Sequence, residues 1–155
     1  MIPKIKKILY ATDLSEGASH AFGYAIRLAL TNDAKISIIN VCEKFTNQTN
    51  IQMRSEDRDA AKDKLTESIK VKLKQYCEAE KKDDTCQFIK LVENIYVTSG
   101  MPVESIIEHA TKGGYDLIVM GTHGHGFLYS AVIGSNAQKM VQQSSIPVLV
   151  VRLPR

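Results

Sequence analysis

Five short runs of aliphatic and β-branched residues alternate along this chain with four stretches whose apolar residues recur every three or four positions, and that alternation leaves few folds open. The runs are residues 5–11, 36–41, 92–98, 117–120 and 146–151. Most of them are apolar nearly throughout, the pattern of strands buried on both faces of a sheet. Parallel neighbours need crossover connections, which the four intervening helices supply while covering the sheet. The expected fold class is α/β, a single open, mostly parallel five-stranded sheet with helices on both faces and Rossmann-like or flavodoxin-like layering. The 155 residues, 44% hydrophobic, suit one domain.

The helices are legible from their stripes. Ala18, Ala21, Phe22, Ala25, Ile26 and Ala29 form one continuous apolar face, preceded by Asp13-Leu-Ser15 with side chains suited to capping. Between residues 54 and 80, Ala61, Leu65, Ile69, Leu73 and Tyr76 give a narrower stripe among lysines and acids, the pattern of an exposed helix with one buried edge. Residues 43–50 read as a polar loop, and residues 81–84 end the charged helix. Pro102 opens a third helix whose inward positions are Val103, Ile106, Ile107 and Ala110, closed by Gly113-Gly114. Ala137, Met140, Val141 and Ser144 mark one side of a fourth.

Several function classes fall away. The net charge of +3 is small, the lysines of residues 54–84 are mixed with acids, and Trp is absent, so no basic stripe with interleaved aromatics points to nucleic acid. No apolar run reaches 18 residues and the first residues lack a signal-type segment, so no membrane partner is expected and the cytoplasm is the expected location. Cys42, Cys77 and Cys86 are an odd number without a Cys-x-x-Cys pair, which suits reduced thiols, with Cys42 packing as a small apolar residue. No metal site is expected, because His123 and His125 have no Cys, Asp or Glu in their loop to complete one.

What remains is the glycine-punctuated stretch from Gly121 to Ser135, directly after the fourth apolar run. Glycines let a backbone approach a ligand closely, and a helix opening at Gly134-Ser135 aims amides at an anion. The stretch is not a Walker loop, which needs Gly-x-x-x-x-Gly-Lys-Ser/Thr, nor the dinucleotide fingerprint, since Tyr129 stands where the third glycine would be. In open sheets of this class ligands sit beyond the carboxyl ends of strands where strand order reverses, so the Ala11-Thr12-Asp13 turn after the first strand is the second half of a site. Asp13 is a candidate for ribose or amine hydrogen bonds, and His123 and His125 for phosphate, with binding that tightens as pH falls through roughly 6.5. No Ser-His-Asp set, Cys-His pair or paired carboxylates emerges, so no catalytic residue is assigned.

The spacing Gly121, two residues, Gly124, nine residues, Gly134, Ser135 resembles the ATP-binding motif of the universal stress protein family. Tyr10-Ala-Thr-Asp13 with Ser15, Val41, Gly100-x-Pro102, residues 116–121 and residues 147–151 match further family features in the family's order. The resemblance implies a sheet ordered 3-2-1-4-5, a homodimer joined through the last strand from Pro147 to Val151, and bound ATP, accompanied by Mg2+. Carried over by position, Ala11, Thr12 and Asp13 meet adenine and ribose, and Val41 lines the adenine pocket. Met120 belongs to the same site, Gly121, Thr122, His123, Gly124, His125, Gly126 and Phe127 surround ribose and phosphates, and Gly134, Ser135, Asn136 and Ala137 complete the phosphate end. Ala11 stands where ATP-binding members often carry Pro, and the loop lacks Lys and Arg, so phosphate affinity rests on backbone donors, the two histidines and the helix terminus. The implied function is a homodimeric ATP-dependent module of stress signalling; a nucleotide-free interaction dimer and a slow ATPase are the alternatives.

Overall fold

The computed structural model describes residues 1–43, 55–80, 88–122 and 133–153. In chain order the elements are β1 (Lys7–Ala11), α1 (Glu16–Asn32), β2 (Lys35–Glu43), α2 (Ser55–Ala79), a 3-10 turn (Ile89–Leu91), β3 (Val92–Gly100), α3 (Pro102–Lys112), β4 (Leu117–Gly121), α4 (Ser135–Gln143) and β5 (Val148–Val151). The strands form one sheet in the order β3-β2-β1-β4-β5, and every neighbouring pair is parallel. The expected fold class and strand order are both present.

Alternation along the central strands divides the core in two. Ile8 and Tyr10 of β1 face one side with Ala21, Phe22, Ala25, Leu65 and Leu73 of α1 and α2. Leu9 and Ala11 face the other with Val103, Ile106 and Met140 of α3 and α4. Ala21, Ala25 and Ala29 are fully buried, and their small side chains let α1 lie close on the sheet. Gly23 performs the same service between helices: a Cβ there would stand 3.2 Å from the Tyr76 hydroxyl, which donates to the Ser19 carbonyl at 3.3 Å and so ties α2 to α1. At the opposite end of the sheet, Asp116 accepts from the Lys6 and Lys7 amides at 2.8 and 2.9 Å, joining the start of β1 to the entry of β4.

The departures from the sequence expectations have local causes. β2 and β3 run on to Glu43 and Gly100, because their register continues residue against residue to that pair and main-chain bonds do not require apolar side chains. β5 begins at Val148, and Ser144 caps α4 instead of lining it, its hydroxyl donating to the Ile146 carbonyl at 2.7 Å. Val141, expected on the inward side of α4, is 59% exposed, since only Ala137 and Met140 of that helix are buried against the sheet. The expectation of three reduced thiols is also corrected: Cys42 is free, whereas Cys77 at the end of α2 is disulfide-bonded, its partner lying outside the described residues. Cysteine spacing does not reveal pairing, because proximity is set by the fold. Most of the 43–50 loop and the 81–84 helix end also lie outside the described residues.

Candidate functional site

Residues of β1 and β4 meet where the sheet changes direction: from β1 the chain progresses to β2 and β3 on one side, then to β4 and β5 on the other. Tyr10 pairs with Val119, so the Thr12-Asp13 turn and the Gly121-Thr122 segment leave adjacent strands side by side. A crevice of this kind lies beyond strand ends whose flanking loops have nothing between them to hold them together.

The β1 side is rigidly constructed. The Thr12 amide donates to the Ile39 carbonyl at 3.0 Å and Thr12 is buried, extending the β1–β2 ladder past the end of the strand. Thr12 Oγ1 accepts from the Leu14 amide at 3.0 Å, and Asp13 Oδ1 accepts from the Ser15 amide at 2.9 Å. These two overlapping turns hold Leu14 at φ +66°, a left-handed conformation that costs a β-carbon residue about 1–2 kcal/mol. Ser15 then caps α1, its Oγ accepting from the Ala18 amide at 3.2 Å. Beneath the turn, Tyr10 stacks on Phe22 with centroids 4.8 Å apart and donates its hydroxyl proton to the Ala18 carbonyl, so the first turn of α1 is pinned to β1. Burial pushes the Tyr10 phenol far above its ordinary range, which keeps it a neutral donor.

On the β4 side, the two described ends of the glycine stretch are joined by a backbone bond. The Thr122 amide donates to the Val151 carbonyl at 3.0 Å, and the Thr122 carbonyl accepts from the Gly134 amide at 2.9 Å, so α4 starts where β4 ends. Gly134 occupies the cap position of α4 at φ −61°, ψ 155° and supplies no side-chain acceptor to the helix amides; the first turn also contains no acidic residue. Ser135 and Asn136 are exposed there, while Ala137 is buried under them.

Of the residues expected from sequence, Ala11, Thr12, Asp13, Met120, Gly121, Thr122, Gly134, Ser135, Asn136 and Ala137 stand at this end of the β1–β4 pair. Val41 is on β2, two residues past the Ile39 that pairs with Ala11, and packs on the α3–α4 side of the sheet. His123, Gly124, His125, Gly126 and Phe127 lie outside the described residues. One contributor escaped the sequence reading: Asn40 donates from Nδ2 to the Thr12 carbonyl at 2.8 Å, fixing the turn from the neighbouring strand. An Asn at the polar end of a β-branched run was the available signal, but its target is 28 residues away in sequence.

The family model described as "Universal stress protein family" matches residues 4–152. The chain belongs to that family. The universal stress protein MJ0577 of Methanocaldococcus jannaschii is 30% identical over 159 residues, an alignment that takes in 95% of this chain and 94% of that protein. The fold likeness extends to the universal stress protein UspA of Lactobacillus plantarum, with TM-score 0.67 at 22% identity over 97% of this chain and all of that one. Two further family structures are similar at lower identity. One, a universal stress protein in complex with cAMP, has TM-score 0.59 at 20% identity, with 97% and 98% of the two chains covered. The other, from Archaeoglobus fulgidus in complex with dAMP, has TM-score 0.58 at 17% identity, with 94% and 96% covered.

Proposed function

We propose that this chain binds ATP, accompanied by Mg2+, in the crevice between the ends of β1 and β4, and that it works as one nucleotide-binding domain of a homodimeric stress-response module. The observation that carries the reading is the start of α4. It is held beside the Thr12-Asp13 turn by the Gly134–Thr122 bond, and its cap lacks the side chain that would otherwise occupy the helix amides. Such a terminus favours phosphate through its amides and the positive end of its dipole. The relatives solved with cAMP and dAMP support an adenine nucleotide as the ligand class.

In this reading Ala11, Thr12, Asp13 and Val41 receive adenine and ribose, and Met120, Gly121 and Thr122 form the floor. His123, Gly124, His125, Gly126 and Phe127 enclose the phosphates together with Gly134, Ser135, Asn136 and Ala137. Mg2+ draws most of its ligands from phosphate oxygens and water and neutralises charge that no Lys or Arg of the loop can meet. Binding orders the loop and the α4 start, and a partner reads the altered surface. Dimerisation uses β5, an edge strand whose Val148, Leu149 and Val150 are only partly covered.

Mass spectrometry of nucleotide released from purified protein, with calorimetric titration of Mg-ATP, tests the proposal. Bound ATP or roughly micromolar affinity supports it; no nucleotide and no heat up to millimolar Mg-ATP refutes it. Light scattering after size exclusion tests the dimer, which a Val150→Lys change should convert to monomer.

A further inference from the structure

On the α3 side of the sheet the edge strand is poorly covered. α2 packs on the opposite face of β3, but α3 seats against β2, one strand inward. A groove of about 670 Å³ remains between α3 and β3. One wall is Glu93, Asn94, Tyr96, Val97, Thr98 and Ser99 of β3, and no strand among the described residues lies beyond it. The other wall is Ser105, Glu108, His109 and Lys112, spaced i, i+3, i+4, i+7 and therefore one stripe of α3.

We propose that this groove docks an extended peptide of a partner protein, carrying a carboxylate at the end of the groove marked by Lys7. A free strand edge beside a helix stripe is the arrangement in which a peptide adds as a further strand, main-chain bonds supplying affinity and alternate side chains entering the groove. Seven residues of edge span roughly 23 Å, enough for a peptide of similar length. Where the two walls meet, the His109 ring centroid is 4.4 Å from that of Tyr96 and 5.8 Å from that of Tyr115, an aromatic floor for one inserted side chain.

Charge selects the occupant. Lys112 is tied to Glu108, whereas the Lys7 ammonium donates to the Gly113 carbonyl and stands over the face of Tyr115, 4.7 Å from its centroid. Among the described residues no carboxylate is within ion-pairing distance of it. Burial and Lys7 itself hold His109 below its ordinary range, so Lys7 is the cation of the floor near neutral pH. A second copy suits the edge less well. Pairing at both sheet edges, at β3 and at β5, would build an open chain of molecules.

The test selects a phage-displayed library of random ten-residue peptides on the full-length protein, with counter-selection on the Ser105→Trp variant, whose indole fills one end of the groove. A selected peptide is synthesised and titrated into ¹⁵N-labelled protein. The expected result is amide shifts centred on residues 93–99. Replacing the peptide's acid by its amide, or Lys7 by Met, should each weaken binding about threefold to fivefold, with no further loss when combined. Lys7→Met is a surface change that keeps the aliphatic stem, so it reads the charge even if Ser105→Trp folds poorly. No surviving peptide, shifts centred elsewhere, or affinity indifferent to both charge changes overturns the proposal.

Discussion

The starts of α1 and α4 occupy equivalent places, each just past the carboxyl end of a central strand, yet they are finished differently. At α1, Ser15 caps the helix with its own side chain, Asp13 and Thr12 brace the turn, and Asn40 reaches across from β2 to hold it. At α4 the cap is a glycine, no acid stands in the first turn, and the described tethers are the Gly134–Thr122 backbone bond and one from the Gln138 side-chain amide to the Ile133 carbonyl. A helix terminus satisfied by its own chain is a structural joint. One stripped of its cap side chain keeps its dipole and donors for something else. In the proposed ATP site, the braced turn is the wall that orients the nucleoside and the helix start without a cap side chain is the wall that receives charge.

Substitutions that exchange these characters should separate stability from binding. The largest effect is expected from Ser135→Glu, which puts a carboxylate in the first turn of α4. Affinity for Mg-ATP should fall at least about tenfold through like-charge repulsion, while thermal stability holds or rises slightly because the acid complements the dipole. Equal ATP affinity in calorimetry would show that the phosphates lie elsewhere. Next comes Ser15→Ala, predicted to cost about 1 kcal/mol and lower the melting temperature by about 2–4 °C. ATP affinity should stay within about twofold, since the cap lost is structural. A collapse of binding would mean that Ser15 belongs to the ligand.

Leu14→Gly should act in the opposite direction. Removing the β-carbon from a left-handed residue that is 49% exposed relieves strain at little loss of buried surface. A gain of about 0.5–1 kcal/mol by denaturant melting is expected, the cost of added chain freedom being smaller than the strain relieved. Unchanged or reduced stability would mean that the leucine side chain contributes more than its exposure suggests. The smallest effect belongs to Gly134→Ser, whose backbone already has the extended cap conformation. It should stabilise α4 by a few tenths of a kcal/mol and weaken ATP modestly by competing for the same amides. If it tightens ATP instead, a side chain at the cap assists the phosphates.

Much of the fold was legible because periodicity is a direct imprint of burial. The stripe Ala18 to Ala29 became the buried face of α1, and each apolar run became a strand. Errors fell where main-chain bonding or local packing decides without a hydrophobic signal: the polar ends of β2 and β3, the surface position of Val141, and the bonded state of Cys77. For the site, Gly134 and Asp13 stood out because few residue types suit a helix cap or an Asx turn. Asn40 and the strained Leu14 did not, since their roles depend on a neighbouring strand and on two turns that overlap.

By itself the sequence determined the α/β class, the buried face of α1 and the glycine-rich character of residues 121–135, because hydrophobic spacing and glycine frequency act locally along the chain. Only the tertiary structure decided that Thr122 bonds to Gly134, that Asn40 holds Thr12, and that α3 sits inward of the edge strand and leaves a groove with Lys7 at one end. Those relations join residues whose distance in space is set by strand order and crossover packing, and no local pattern records that distance.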